Sequence, residues 1–252
     1  MTKIGHTIHR LDTVASTNTL LLEKEDWLDI HGLVLTALHQ TGGRGRMGRR
    51  WESVPGAQLQ FSVVVHPVLK IEEVPLLALA AGLAVADALA LVQGVAPELK
   101  WPNDVLIGGK KVCGILVEGR PSKAGGASRN RVVIGIGINC QGGAGDFPPE
   151  LSNLLTTLAE ASGRPVENEQ VLQQVLANLE DRYLQLQSGG RLELLDDWRA
   201  RAVLQGRSVS LETPGGTRRG VARNISDSGY LMVELDSGEM HQQVSGDVTW
   251  LD

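Results

Sequence analysis

Two stretches of this 252-residue sequence carry residue types that could do chemistry. The first is Gly43-Arg44-Gly45-Arg46-Met47-Gly48, followed by Arg49, Arg50 and Trp51. It satisfies the G-x-G-x-x-G spacing of a dinucleotide-binding turn. Such a turn must open a helix and meet an acidic residue about 20 positions later, whereas Pro55 and Gly56 cut off any helix here. A P-loop sequence is absent as well. What remains is a loop whose glycines free the backbone and whose arginines present planar, multi-donor cations, a combination suited to a phosphate or carboxylate. The bland alternative is a solvated basic turn, although such a turn has no need of three glycines.

The second stretch, Lys100-Trp101-Pro102-Asn103-Asp104, gathers a cation, a carboxamide and a carboxylate around a rigid proline. Two β-rich runs follow, Asp104 to Ile107 and Val112 to Glu118, joined by Gly108-Gly109-Lys110 in a hairpin connection. Hairpin pairing brings Asp104 and Lys111 onto neighbouring strands. An ordinary cross-strand ion pair and a reaction centre both fit that spacing, and spacing does not choose between them.

Other chemistries lack their residues. The histidines, at 6, 9, 31, 39, 66 and 241, form no ligand-spaced pair with each other or with the cysteines, so no protein metal site is expected. No G-x-S-x-G elbow is present, and neither Cys113 nor Cys140 has a nucleophile's context. Basic residues number 24 against 29 acidic, a net charge of −5, which disfavours generic nucleic-acid binding. Against that background Arg44, Arg46, Arg49 and Arg50 form one concentrated positive spot. Two cysteines cannot build a disulfide framework, and the N-terminal residues lack a signal-peptide pattern, so a cytoplasmic protein is expected. The most apolar window, Leu76 to Val92, contains Asp87 and much alanine, which reads as a buried helix and not a membrane span.

The positioning elements follow from periodicity and capping. Ser16-Thr17-Asn18 supply cap-type side chains to a helix running to about Leu22, after an extended start at Ile8. Strands are expected at Leu33 to Leu38, at Gln58 to His66, where Leu59, Phe61, Val63 and Val65 alternate, and at Arg131 to Asn139. A small-residue loop, Ser122 to Asn130, precedes the last of these. Helices are expected at Pro75 to Val92, Leu151 to Ala161, Asn168 to Gln187 and Arg191 to Ala202. From Ser208 the pattern becomes five short strands at roughly ten-residue spacing, a small barrel. The class is α+β with a mixed, largely antiparallel sheet, divided into residues 1–204 and 205–252.

Taken together, Ser16-Thr17-Asn18, the run Gln40 to Trp51, Lys100 to Asp104, Lys111 to Glu118 and Gly135-Ile136-Gly137-Ile138-Asn139 resemble the biotin protein ligases, in order and interval, over nearly the whole chain. The resemblance implies a catalytic domain followed by an SH3-like barrel. It also implies a two-step reaction in which biotin and MgATP give biotinyl-5′-adenylate and pyrophosphate. The adenylate then acylates one lysine of a biotin carboxyl carrier domain of a biotin-dependent carboxylase, such as acetyl-CoA carboxylase.

By the same resemblance, Ser16, Thr17, Asn18 and Gln40 surround biotin's ureido head and ring. Gly43, Arg44, Gly45 and Arg46 belong to the loop over biotin and the adenylate phosphate, and Lys111 contacts carboxyl and phosphate groups. Asn103 and Asp104 lie near the reacting centre, Gly114 lets biotin lie against its strand, and Trp51 anchors the loop. Arg49 and Asn139 complete the nucleotide set, and Lys111, Asp104 and Arg46 are the expected catalytic residues. Mg²⁺ comes with the triphosphate and not in a protein cage.

Bifunctional members carry an N-terminal winged helix that binds DNA. Here Ser16 arrives within the first twenty residues, so the monofunctional form without nucleic-acid binding is expected. Homodimers occur in the family and are among the expected assemblies. The competing readings are a lipoate protein ligase, with another glycine motif and an apolar pocket, and a non-catalytic biotin-binding protein, which could dispense with Lys111 and Asp104.

Overall fold

The computed structural model describes residues 3–120, 130–213, 216–246 and 248–251. All but Asn130 of the expected small-residue loop, and the middle of the expected turn at 213–216, lie outside the described residues. In chain order the elements are β1 (Thr7–Val14), α1 (Thr17–Glu23), α2 (Glu25–Leu28), β2 (Leu33–Gln40), β3 (Gln58–Val65), α3 (Leu76–Leu89), β4 (Pro97–Lys100), β5 (Asp104–Ile107), β6 (Lys110–Arg120) and β7 (Arg131–Asn139). There follow α4 (Pro149–Ser152), α5 (Leu158–Ser162), α6 (Asn168–Gln187) and α7 (Arg191–Arg201), then β8 (Ser208–Thr213), β9 (Gly216–Ile225), β10 (Leu231–Leu235), β11 (Met240–Gln243) and β12 (Val248–Trp250).

The first seven strands form one sheet in the order β1-β2-β3-β7-β6-β5-β4. β1 pairs with β2 in parallel, and the other neighbours are antiparallel. This is the mixed, largely antiparallel sheet of an α+β protein. The helices cover it unequally. On one face the alternate residues Leu59, Phe61, Val63 and Val65 of β3, with Val132, Ile134, Ile136 and Ile138 of β7, join α3, α6 and α7 in the main core. On the other face α1 and α2 cover only one end, where Leu21 and Leu28 meet Leu33, Leu35, Val64 and Val133. Beyond that small cluster the strands' second face turns polar or bare, with Gln58, Gln60 and Ser62 on β3 and Gly135, Gly137 and Asn139 on β7, and only the first residues of α1 reach over Ser62 and Gly135.

α3 is buried nearly all round, as its alanine-rich sequence predicts. Its Asp87 is compensated by Arg182 at 2.9 Å and Arg201 at 2.5 Å, which is how a core helix tolerates the charge. Among the described residues no helix is long and apolar enough to cross a membrane.

The expected helix Leu151 to Ala161 is instead two short ones, α4 and α5. Between them Asn153 to Thr156 runs beside Lys111, whose N–H donates to the Leu154 carbonyl and whose carbonyl accepts from the Thr156 N–H. Pairing with β6 competes with helical hydrogen bonds there, and Thr157 then caps α5 through the Glu160 N–H. β4 also lay outside the periodic pattern: it is a four-residue edge strand that admits Pro97 at its first position.

The C-terminal strands form an antiparallel five-stranded sheet in the order β11-β10-β9-β8-β12. Its apolar side chains, among them Val209, Leu211, Ile225 and Val248, continue the main core. The Trp101 indole N–H donates to the Gly229 carbonyl at 2.9 Å, and Arg199 donates to the Ile225 carbonyl. The second sheet is thereby fixed against the first at the Lys100 to Asp104 corner.

Candidate functional site

The uncovered face of β3, β7 and β6 forms a floor, and register decides what stands on it. Gln60, Gly137 and Gly114 lie in one row across the three strands, and Ser62, Gly135 and Leu116 in the next. Both β7 positions must be glycine. A Cβ at 135 would run into the Asn18 carboxamide, and one at 137 would stand 2.6 Å from the Trp51 indole. The floor is bare so that side chains from other elements can lie flat against it.

At one end lies a buried hydrogen-bonding slot. Ser16 caps α1 by accepting from the Thr19 N–H, which holds Thr17 and Asn18 at the start of the helix. The Gln40 Oε1 accepts from the Thr17 N–H at 2.8 Å, and Gln40 Nε2 donates to Gln60 Oε1 at 2.8 Å. Ser62 Oγ lies 2.6 Å from Thr17 Oγ1 and 2.5 Å from Asn18 Oδ1. Neutral amide and hydroxyl groups with settled orientations line this end. Such a slot suits a neutral ligand group that both donates and accepts.

Over the floor arches the arginine-glycine segment, and it is a small hairpin. The Trp51 N–H donates to the Gly43 carbonyl at 3.0 Å, the Gly45 N–H to the Arg49 carbonyl at 2.7 Å, and a 3₁₀ turn at Arg46 to Gly48 closes the tip. Met47 at the tip has φ 55°, left-handed for a side-chain-bearing residue, and is exposed. The solvated-turn alternative fails on the two side chains that reach inward. Arg44 pairs with Glu118 at 2.6 Å, and Arg46 donates to Asn103 Oδ1 at 3.1 Å and to the Gly246 carbonyl at 3.4 Å.

The far end is crowded with cations. Lys111 Nζ lies 2.7 Å from Asp104 Oδ1, so the hairpin spacing does place the two in contact. A bulge between Val105 and Leu106 lets this happen although Asp104 is registered with Gly114. Burial pushes the Lys100 ammonium below the ordinary lysine range, against the pull of Asp104 and with the help of Lys111 and Arg49. Burial also lowers Arg46, with Asp104 opposing and Arg49 assisting. Lys100 Nζ sits 4.5 Å from the centre of the Trp250 ring, which brings β12 to the wall of the site. Burial pushes the Cys113 thiol far up and the Cys140 thiol to about 12, so neither supplies a thiolate.

Slot, strap and cation cluster share one cavity of about 590 Å³. Its walls carry six basic side chains, Arg44, Arg46, Arg49, Arg50, Lys100 and Lys111, against the carboxylates Glu52 and Asp104. Of the residues singled out from sequence, Ser16, Thr17, Asn18, Gln40, Arg44, Gly45, Arg46, Arg49, Trp51, Asn103, Asp104, Lys111, Gly114 and Asn139 all border it. Gly43 stands behind the wall. Asn139 braces the floor, accepting from Gln58 at 2.9 Å and donating to the Thr156 carbonyl. Sequence reasoning missed Gln60, Ser62 and the Val248 to Trp250 segment. The signal for the first two was the polar alternate set of β3, which the structure buries. Among the described residues no cluster of three His, Cys, Asp or Glu side chains is placed to hold a metal ion.

Comparison with known proteins agrees with this arrangement. The model described as the Biotin/lipoate A/B protein ligase family matches residues 11–139, and that of the Biotin protein ligase C terminal domain matches residues 205–249. The chain is 37% identical to the biotin–acetyl-CoA-carboxylase ligase of Mycobacterium tuberculosis, over 96% of this chain and 89% of that protein. It is 35% identical to the bifunctional ligase/repressor BirA of Bacillus spizizenii, over 92% of this chain and 70% of the relative. Among solved structures, the biotin protein ligase from Aquifex aeolicus in complex with biotin and ATP superposes with a TM-score of 0.82 at 29% identity, covering 97% of this chain and 98% of that one.

Proposed function

The chain belongs to the biotin/lipoate A/B protein ligase family, and from that premise we infer that it is an ATP-dependent biotin protein ligase. One observation carries the reading: a single cavity joins a neutral hydrogen-bonding slot to a cluster of cations. Biotin has that shape, a neutral ureido ring on an apolar body with a carboxylate at the far end of its tail. A lipoyl dithiolane offers no hydrogen-bonding group to the polar side chains that border this end of the cavity, Ser16, Thr17, Asn18 and Gln40.

In the first step a biotin carboxylate oxygen attacks the α-phosphorus of ATP, the bond to the β-phosphate oxygen breaks, and pyrophosphate leaves. Two anions must meet, and at 4 Å their repulsion is about 1 kcal/mol in water and about 4 kcal/mol at an effective dielectric near 20. Lys111 and the strap arginines reverse that sign, and the slot fixes the ureido end so that the tail arrives aligned. Mg²⁺ enters as part of the nucleotide substrate, with Asp104 and Asn103 the oxygen donors nearest the cation cluster. In the second step the carrier lysine's amine attacks the biotinyl carbonyl and AMP departs. Asp104 is placed to orient that amine, and Lys111 to stabilise the departing phosphate.

The acceptor we propose is the biotin carboxyl carrier domain of a biotin-dependent carboxylase, as the name of the Mycobacterium tuberculosis relative suggests. We assign residues 1–204 to the catalytic domain and 205–252 to an SH3-like barrel, with the reaction in the cytoplasm, where the two thiols stay reduced.

Biotin-dependent exchange of labelled pyrophosphate into ATP tests the reading. Exchange with biotin and none with lipoate is expected; exchange driven by lipoate, or by neither acid, overturns it. Within the slot, Gly135→Ala drives Asn18 off the floor. It should weaken biotin binding by about a hundredfold, the scale of two lost buried hydrogen bonds, with the ATP KM unchanged. Isothermal titration with biotin measures it.

A further inference from the structure

We propose that Glu118 is a positioning residue for biotin, one carboxylate that locks the strap to the slot. It stands on β6 opposite Val133, beyond the end of the cavity, and is not among the residues bordering it. A single oxygen, Oε2, accepts from Arg44 Nη2 at 2.6 Å and from Asn18 Nδ2 at 2.9 Å. The strap above and the slot below therefore share one anchor.

The chemistry of the anchor decides what it does. A carboxylate only accepts, so the Asn18 amide must turn its Nδ2 toward Glu118, and its Oδ1 is left to accept from Ser62 at 2.5 Å. The Leu116 carbonyl, also an acceptor, reinforces that choice at 3.3 Å. A glutamine in place of Glu118 would offer both a donor and an acceptor to the same neighbours. The amide of Asn18 could then turn over, and the charge that holds Arg44 would be gone. Ion pairs as exposed as this one, at 42% and 25%, add little to folding stability. The consequence of the pair is positional: it sets which way the slot presents its donor and where the strap starts.

This proposal rests on the ligase reading, and Glu118→Gln tests both separately. In pyrophosphate exchange the variant should raise the biotin KM about tenfold or more, while the ATP KM and kcat stay within about twofold. In the protein without substrates, amide hydrogen exchange across residues 43–51 should speed up. Combining the variant with Arg44→Gln should raise the biotin KM by less than the product of the single effects. An unchanged biotin KM with unchanged protection of 43–51 overturns the proposal, as do equal rises in both KM values with a lowered Tm, the mark of a merely structural role. If the wild type shows no biotin-dependent exchange, the ligase reading falls, and protection of 43–51 still decides whether Glu118 anchors the strap.

Discussion

Lys111→Ala is expected to lower biotin-dependent pyrophosphate exchange by about 10² to 10³, the scale of removing one preorganised charge donor from a developing transition state. The geometry makes the residue hard to replace. Its backbone is clamped by the Leu154 carbonyl and the Thr156 N–H, and its ammonium sits 2.7 Å from Asp104 at the cation-rich end of the cavity. The nearby Lys100 ammonium lies over the Trp250 ring instead. The ordinary ion-pair reading of Asp104 and Lys111 makes a different prediction. A pair with side chains 36% and 22% exposed contributes about 0–1 kcal/mol to stability, so losing it for structural reasons alone shifts Tm slightly and leaves exchange near normal. Thermal unfolding and exchange measured on the same variant separate the two. Near-normal exchange would reassign Lys111 to holding Asp104.

How far these residues were legible in the sequence depended on whether their partners are local. Arg44 to Trp51 and Lys100 to Asp104 are each short enough that residue type and turn chemistry almost dictate their geometry, and both meet in the cavity. Contacts set by register were not legible. Ser62 touches Asn18 only because β3 lies beside β7 with Ser62 opposite Gly135, a pairing across more than seventy residues of sequence. Glu118 meets Arg44 for a similar reason. The alternation on β3 was read correctly as a strand. The site role of its polar set was not legible, because Gln60 and Ser62 are buried only where α1 and the strap close over that face. The break in the expected helix at Leu151 to Ala161 was hidden because the competing bonds come from Lys111, some forty residues earlier. The Gly246 carbonyl, in the connection from β11 to β12, and Trp250 of β12 reach the site because the second sheet docks on the first through Trp101 and Gly229, through Arg199 and Ile225, and through a shared core.

Arg46→Gly should separate formation of the adenylate from its retention. Arg46 is the far fastening of the strap: it bridges Asn103 in the catalytic corner and the Gly246 carbonyl of the C-terminal sheet, while Arg44 fastens the near side. Glycine removes both contacts and adds backbone freedom beside Gly45 and Gly48. Lys111 and the slot are untouched, so pyrophosphate exchange should persist at a reduced rate, with one of the strap's cations gone. A mixed anhydride no longer covered by the strap then escapes to bulk solvent, where it acylates lysines at random or hydrolyses. The loss of two hydrogen bonds from a charged guanidinium, the one to Gly246 long at 3.4 Å, predicts release faster by about a hundredfold. Gel filtration of the enzyme–adenylate complex measures the release, and biotin incorporated into a bystander protein such as albumin reports the escape. Arg46→Lys should fall between the two, since a point charge cannot span both carbonyl oxygens as a guanidinium does. Wild-type retention in the glycine variant would show that Arg44 and Glu118 alone hold the strap closed, and would move the whole of that task to the near side.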